Sequence, residues 1–175
     1  MSGQRILEGL ALLGSGVVLG LVGACSAGSA GGEMKDLFTL TDRLIEARPL
    51  TREKVEQLTG VRLGVNSGAT NPFYALYVSA APHGFLKRVE LREALRGATR
   101  KGGLVILDVD PQAAGVKHAQ VPERYGKDFR YEPPAPSGPP GGLAYYLYTR
   151  PWGDLRIGFE LSHGWVEAVV IDAEN

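Results

Sequence analysis

The sequence predicts an α+β fold: an antiparallel sheet formed by two tandem helix-then-strands repeats, with the helices packed on one face. Three observations support this class. Apolar residues recur at helical spacing near the start of the globular region, short runs rich in β-branched and aromatic residues follow, and the same order of elements begins again after Pro111. With one cysteine among 175 residues, packing must stabilise the fold in place of disulfides or cysteine-ligated zinc.

Two helices are predicted at the start of the globular region. Glu33 to Arg48 carries apolar residues at a spacing of three and four, the pattern of an amphipathic helix, and Pro49 ends it. Thr51 can cap a second, shorter helix that runs through Leu58 and stops at Gly60.

Four strands are predicted next, because the period changes and turn signals such as Asn66-Ser67-Gly68 separate the runs. The second and third form a hairpin. The strands are Val61 to Val65, Phe73 to Ala80, Leu86 to Glu93 and Leu104 to Val109.

A second copy of this order is predicted in the C-terminal half, with repeat halves at about 50–110 and 116–174. Four residues recur at a constant offset of 66 positions: Leu50, Val55, Gly60 and Leu63 match Val116, Val121, Gly126 and Phe129. Phe73 to Tyr77 corresponds to Ala144 to Tyr148 once a five-residue insertion is allowed in the Pro-rich loop 133–140.

The second half should end in a hairpin of Leu155 to Leu161 and Trp165 to Ile171. Pro122 limits the second helical element to about one turn. Because any two helix-then-strand segments share this order, similarity without duplication stays open as an alternative.

The N-terminal segment predicts export. Arg5 precedes fifteen residues, Leu10 to Ala24, that are apolar apart from Ser15 and the glycines. This length is short of the roughly 20 residues of a membrane-spanning helix and suits a secretory signal peptide. We expect a signal peptide at 1–24, a flexible tether at 25–32 and one globular domain at 33–175. A membrane-anchor helix and an ordinary cleaved signal peptide are the alternatives.

The residues before the only cysteine, Leu21-Val22-Gly23-Ala24-Cys25, resemble a bacterial lipobox. This resemblance implies that the Cys25 thiol carries a lipid such as palmitate and that the mature chain begins there. It places the protein in the bacterial cell envelope. Ser26 in place of aspartate favours the outer membrane, facing the periplasm, by resemblance to known sorting rules.

The segments Leu50 to Gly60 and, more weakly, Val116 to Gly126 are similar to the tandem unit of the β-lactamase inhibitor protein. As a single unit they resemble the small lipoprotein of the outer-membrane β-barrel assembly machinery. The resemblance implies a curved antiparallel sheet with helices on one face and an open face that holds another protein. The disulfides of those inhibitors are absent here.

Strand alternation predicts which residues would face such a partner. Val89, Leu91, Leu155, Ile157, Phe159 and Leu161 form the apolar face, and Arg88, Glu90, Arg92, Arg156 and Glu160 form the polar face. We expect three tyrosines on the polar face and two tryptophans at exposed turns. The candidate partner-binding residues are Tyr77, Arg88, Arg92, Tyr146, Tyr148, Trp152, Arg156 and Trp165. Ordinary cross-strand tyrosine pairs and folded-over turn tryptophans are the alternatives.

Signals for catalysis are weak. His83, His118 and His163 stand apart in turns or connectors, which predicts solvated side chains, and Asp108 and Asp110 suit a turn and a helix cap better than a cation site. We therefore expect that the protein is not an enzyme and that it has no catalytic residue, cofactor or metal. The 19 basic and 19 acidic residues form no basic surface, so nucleic acid is not an expected partner.

The sequence therefore predicts a lipid-anchored envelope protein that binds and inhibits or neutralises another envelope or periplasmic protein. An immunity protein against a toxin enzyme delivered by type VI secretion would be one example. A structural or assembly factor of the outer membrane is the alternative function.

Overall fold

The structure, a computed structural model, describes residues 36–95, 97, 102–135 and 142–174. Cys25, the signal peptide, the tether and positions 136–140 of the Pro-rich loop lie outside the described residues. Among the described helices, none has the length and apolar character needed to cross a membrane.

The first two helices lie where the sequence predicts helices, and the second is bounded by its predicted capping residues. Helix α1 spans Leu37–Glu46, and the Asp36 carboxylate accepts hydrogen bonds from the backbone N–H groups at its start. Helix α2 spans Arg52–Thr59, with Thr51 as its N-cap. Gly60 ends it at φ 69°, a left-handed conformation that suits glycine. Both predicted helices are confirmed, but α1 is shorter than the predicted Glu33 to Arg48, because Asp36 has an extended backbone and caps the helix.

Within the part of the chain that the structure describes, eight antiparallel strands form one sheet. The strands are β1 Leu63–Val65, β2 Tyr74–Ser79, β3 Leu86–Ala94, β4 Leu104–Val109, β5 Arg130–Glu132, β6 Leu143–Arg150, β7 Gly153–Glu160 and β8 Val166–Ala173. Their spatial order is β1-β2-β3-β4-β8-β7-β6-β5, so two four-stranded meanders meet where β4 pairs with β8. The α+β class with an antiparallel sheet is confirmed.

Three short helical segments connect the two meanders. Helix α3 spans Pro111–Ala114, a 3-10 turn covers His118–Gln120, and helix α4 spans Val121–Tyr125. Asp110 caps α3 through its carboxylate, as the sequence predicts. Pro122 lies in the first turn of α4, which has five residues and is as short as predicted.

The helices and one face of the sheet form a single hydrophobic core. The helices contribute Leu37, Leu40, Leu44, Val55 and Val121, and the sheet contributes Val89, Leu91, Val105, Leu107, Leu155, Ile157, Val169 and Ile171. The register explains why these sheet residues share a face: Leu91, Val105, Ile171 and Leu155 pair in turn across four neighbouring strands. Leu161 departs from the predicted apolar face, because it lies in the β7–β8 turn and is exposed.

The tyrosines predicted for the polar face lie on the other side of the sheet. Tyr148 pairs with the buried Leu155 and is 0% exposed. Tyr77 and Tyr146 pair with the buried residues Leu91 and Ile157, and both pack against the core. Paired residues of antiparallel strands point to the same face, so the predicted position of all three tyrosines is wrong.

Candidate protein-binding face

The sheet face opposite the core has an aliphatic centre, formed by β4 and β8. Ile106 pairs with Glu90 on β3 and with Val170 on β8, and Val170 pairs with Arg156 on β7. Leu104, Ile106 and Val170 are half-buried. We call this side of the sheet the open face: Leu104, Ile106 and Val170 with the charged residues of β3 and β7 beside them.

The β3 border of the open face is a cluster of two arginines around one carboxylate. Arg88 Nη2 lies 2.9 Å from Glu90 Oε2, and Arg92 Nη2 lies 3.0 Å from Glu90 Oε1. Glu90 is only 9% exposed, although it faces away from the core. Its charge is compensated by guanidinium groups on both sides, as a nearly buried carboxylate requires.

The β7 border has the reverse arrangement, in which one arginine lies between two carboxylates. Arg156 Nη2 lies 3.2 Å from Asp154 Oδ2, and Arg156 Nε lies 3.7 Å from Glu132 Oε2 on β5. On the other side of the centre, Asp108 lies 4.0 Å from Arg88. The aliphatic centre is therefore bordered by pre-positioned charges of both signs.

Tyr145 is an aromatic residue that lies on the open face. It pairs with Gly158, and a Cβ atom on Gly158 would lie 2.6 Å from Tyr145 Cε1, so the ring lies across the glycine. Burial raises the pKa of Tyr145, with Asp108 adding to the rise and Arg156 opposing it. The sequence pattern indicated Tyr146 and Tyr148 for this face. The observed alternation of β6 is shifted by one residue, so Tyr145 faces this side in their place.

A small cavity of about 90 Å³ lies at the end of the open face nearest the β3–β4 connection. Phe73, Tyr74 and Leu104 form its apolar walls, and Arg92 and Asp172 are its charged lining. Arg92 also lies over the Tyr74 ring, 5.6 Å from its centroid. Phe73 is among the large apolar side chains that stay exposed.

Of the predicted partner-binding residues, the structure brings three arginines together and separates the others from them. Arg88, Arg92 and Arg156 all lie on the open face. Tyr77, Tyr146 and Tyr148 lie on the core side.

The two tryptophans lie at opposite ends of the β7–β8 hairpin, Trp152 just before β7 and Trp165 just before β8. Both are half-buried. Trp152 packs against the core, with the Arg48 guanidinium 4.4 Å from its ring centroid. Trp165 lies under Lys117, whose Nζ is 3.8 Å from the ring centroid. Both rings are thus partly covered by a cation of the chain itself.

Two of the three histidines have specific partners and are not isolated. His118 stacks on Phe159 at 4.6 Å between ring centroids, and its Nδ1 lies 3.0 Å from the Tyr146 hydroxyl. His163 Nε2 lies 2.7 Å from Glu160 Oε2 and 3.1 Å from Glu167 Oε1. The sequence did not indicate these contacts, because they depend on the fold of the β7–β8 hairpin.

No family model, curated protein or solved structure matches this chain.

Proposed function

We propose that this chain is a lipid-anchored protein of the bacterial cell envelope that binds and neutralises another protein, as an immunity or inhibitor protein does. The open face is its binding surface, and Cys25 is its site of lipid attachment. It acts by covering its partner, without catalysis, and it uses no cofactor.

The observation that carries the proposal is the aliphatic centre of the open face with its charged border. Stable protein interfaces typically have an apolar core and a polar rim in which arginine is enriched. Ile106 and Val170 supply the apolar core, while Arg88, Arg92 and Arg156 supply the rim. These arginines are already held by carboxylates, so a partner would meet side chains that lose little further freedom on binding.

The proposal includes a duplication: the two halves of the chain are related repeats. In each half, helical segments precede a four-stranded antiparallel meander, and the last strands of the two meanders, β4 and β8, pair with each other. The residues matched at an offset of 66 fall on corresponding elements: Val55 lies in α2 and Val121 in α4, while Leu63 lies in β1 and Phe129 just before β5.

Co-purification from membranes tests the proposed function. The tagged full-length chain is extracted in mild detergent and recovered at several salt concentrations, beside the open-face variants Ile106→Lys and Arg156→Glu. The matched control is Arg43→Glu, which reverses an exposed charge on α1, on the helix side of the molecule. Circular dichroism confirms that all variants stay folded.

We expect one partner protein to be retained by the wild type and by Arg43→Glu, and lost from both open-face variants. Adding the purified chain should suppress the activity of that partner. Recovery of no partner at any salt concentration contradicts the proposal, and so does retention by the open-face variants. A partner from the outer-membrane assembly apparatus would instead support the assembly-factor alternative.

A further inference from the structure

We propose that the β7–β8 hairpin carries a zinc site formed by Glu160, His163 and Glu167. The two carboxylate oxygens and the imidazole nitrogen all lie within 4.8 Å of one another. The presence of an imidazole at its centre distinguishes this group from a cluster of surface carboxylates, because nitrogen ligands favour zinc over calcium and magnesium.

A β-bulge brings Glu167 to this position. Gly158 pairs with Ala168 while the next residue, Phe159, pairs with Val166, so Glu167 is the extra residue on β8. Regular alternation would place Glu167 on the same side as the buried Val169, and the bulge redirects it. Glu167 Oε1 consequently lies 3.1 Å from His163 Nε2.

The other two ligands come from the end of β7 and from the turn. Glu160 is the last residue of β7, and its carboxylate Oε2 lies 2.7 Å from His163 Nε2. A tetrahedral zinc ion holds ligand atoms at about 2.1 Å, which places them roughly 3.4 Å apart. The two contacts of Nε2, at 2.7 and 3.1 Å, therefore need to open by less than about 1 Å to admit the ion.

Charge also favours a divalent cation at this point. Two carboxylates face one imidazole, and Lys117 donates to the backbone carbonyl of His163, not to either carboxylate, at 2.9 Å. Ser162 donates to Glu160 Oε2 at 2.6 Å, which helps to hold that carboxylate in place. The fourth position would be open to water.

Zinc binding requires a change of tautomer at His163. The Trp165 backbone N–H donates to Nδ1 at 3.1 Å, so the proton of the neutral ring is on Nε2. Ligation through Nε2 moves that proton to Nδ1 and breaks the bond from Trp165. Because this bond is exposed and water can replace it, its loss should weaken zinc binding by only roughly fivefold.

Isothermal titration with zinc chloride tests the site. The protein is the full-length chain in detergent carrying Cys25→Ser, since a free thiol is itself a strong zinc ligand. We expect one zinc ion per chain, and a loss of affinity of at least about tenfold in Glu167→Gln and in His163→Ala. His83→Ala removes an exposed histidine outside the cluster and should bind zinc as the parent does.

The backbone amide resonance of Trp165 provides a second readout. The hydrogen-bond acceptor of this amide, His163 Nδ1, is lost only when zinc binds His163 Nε2. The resonance should shift with zinc in the parent and in His83→Ala, and in Glu167→Gln it should shift only at zinc concentrations at least about tenfold higher. Equal zinc affinity in the parent and His163→Ala would overturn the proposal. Binding of magnesium or calcium as tight as that of zinc would overturn it too. Neither result depends on whether a protein partner exists.

Discussion

The ring of Tyr145 lies across Gly158 on the neighbouring strand, where any side chain at position 158 would collide with it. The pair covers part of the open face between β6 and β7. An aromatic ring placed over a strand glycine replaces the packing that the missing side chain would give.

Gly158→Ala should lower the free energy of unfolding by about 1–3 kcal/mol, because the added methyl group must displace the Tyr145 ring or the backbone. Urea denaturation measures this change. Gly64→Ala is the matched control in a strand: a Cβ there would meet only the Val78 carbonyl at 3.8 Å, and we expect no loss of stability. Similar losses in both variants would indicate that the strand glycines matter for another reason.

Tyr148→Phe should destabilise the fold by about 1 kcal/mol, because the hydroxyl donates a hydrogen bond to the Gly126 carbonyl at 3.0 Å. Tyr148 is fully buried, so the cost arises in folding and is measured without any partner. Tyr131→Phe removes a hydroxyl from an exposed ring and should cost nothing measurable. Equal effects of the two changes would contradict the assignment of Tyr148 to the core.

Glu90→Gln should lower the free energy of unfolding by about 1–2 kcal/mol, since it removes the charge shared by Arg88 and Arg92 at a nearly buried position. In Glu132→Gln the same change is made at a more exposed ion pair, and the loss should stay below about 0.5 kcal/mol. Chemical denaturation at low and high salt distinguishes them. If Glu90→Gln is neutral, the arginines do not depend on that carboxylate.

Glu56 should make the fold sensitive to acid. Its carboxylate accepts a hydrogen bond from the Leu63 N–H at 2.7 Å, which, together with Arg52, holds its pKa below the ordinary value of 4.5. A carboxyl group with a lowered folded-state pKa stabilises the fold above its unfolded-state pKa, and this contribution is lost as the pH falls through the folded-state pKa.

Glu56→Gln should therefore reduce stability at pH 7 and flatten the decline of stability below about pH 4.5. Thermal melts from pH 7 to pH 2 measure both effects. Glu123→Gln, an exposed position on α4, controls for the loss of one negative charge. A variant whose melting temperature declines as steeply in acid as that of the wild type would rule out this role for Glu56.

The sequence was sufficient to predict elements whose bounds are set by neighbouring residues. It was insufficient where a strand's orientation is set by pairing with a strand distant in the chain. Thr51 and Gly60 cap the two ends of α2 through contacts within the helix, so these capping residues were enough to predict where the helix begins and ends. The run from Ala144 to Tyr148 has no clear alternation of polar and apolar residues, and its phase is set by pairing with β7, where Leu155 and Ile157 face the core. The tyrosines were therefore assigned to the wrong face.

The cluster at His163 was missed for a related reason. Glu160, His163 and Glu167 are spaced by three and four residues, which would bring them together on a helix, but this segment forms the end of β7, a turn and the start of β8. Their contact depends on a bulge whose position is set by the pairing of Gly158 and Phe159 with β8. A register shift of this kind leaves no mark in the periodicity of one strand.

The pairing of β4 with β8 constrains how the chain can fold. The central pair of the sheet joins residues 104–108 to residues 168–172, so the middle of the sheet cannot form until β8 is available. Until then the first meander exposes one side of β4 as an unpaired strand edge, which can pair with other chains. Folding of the two halves is thereby coupled, and we expect them to unfold in a single cooperative transition.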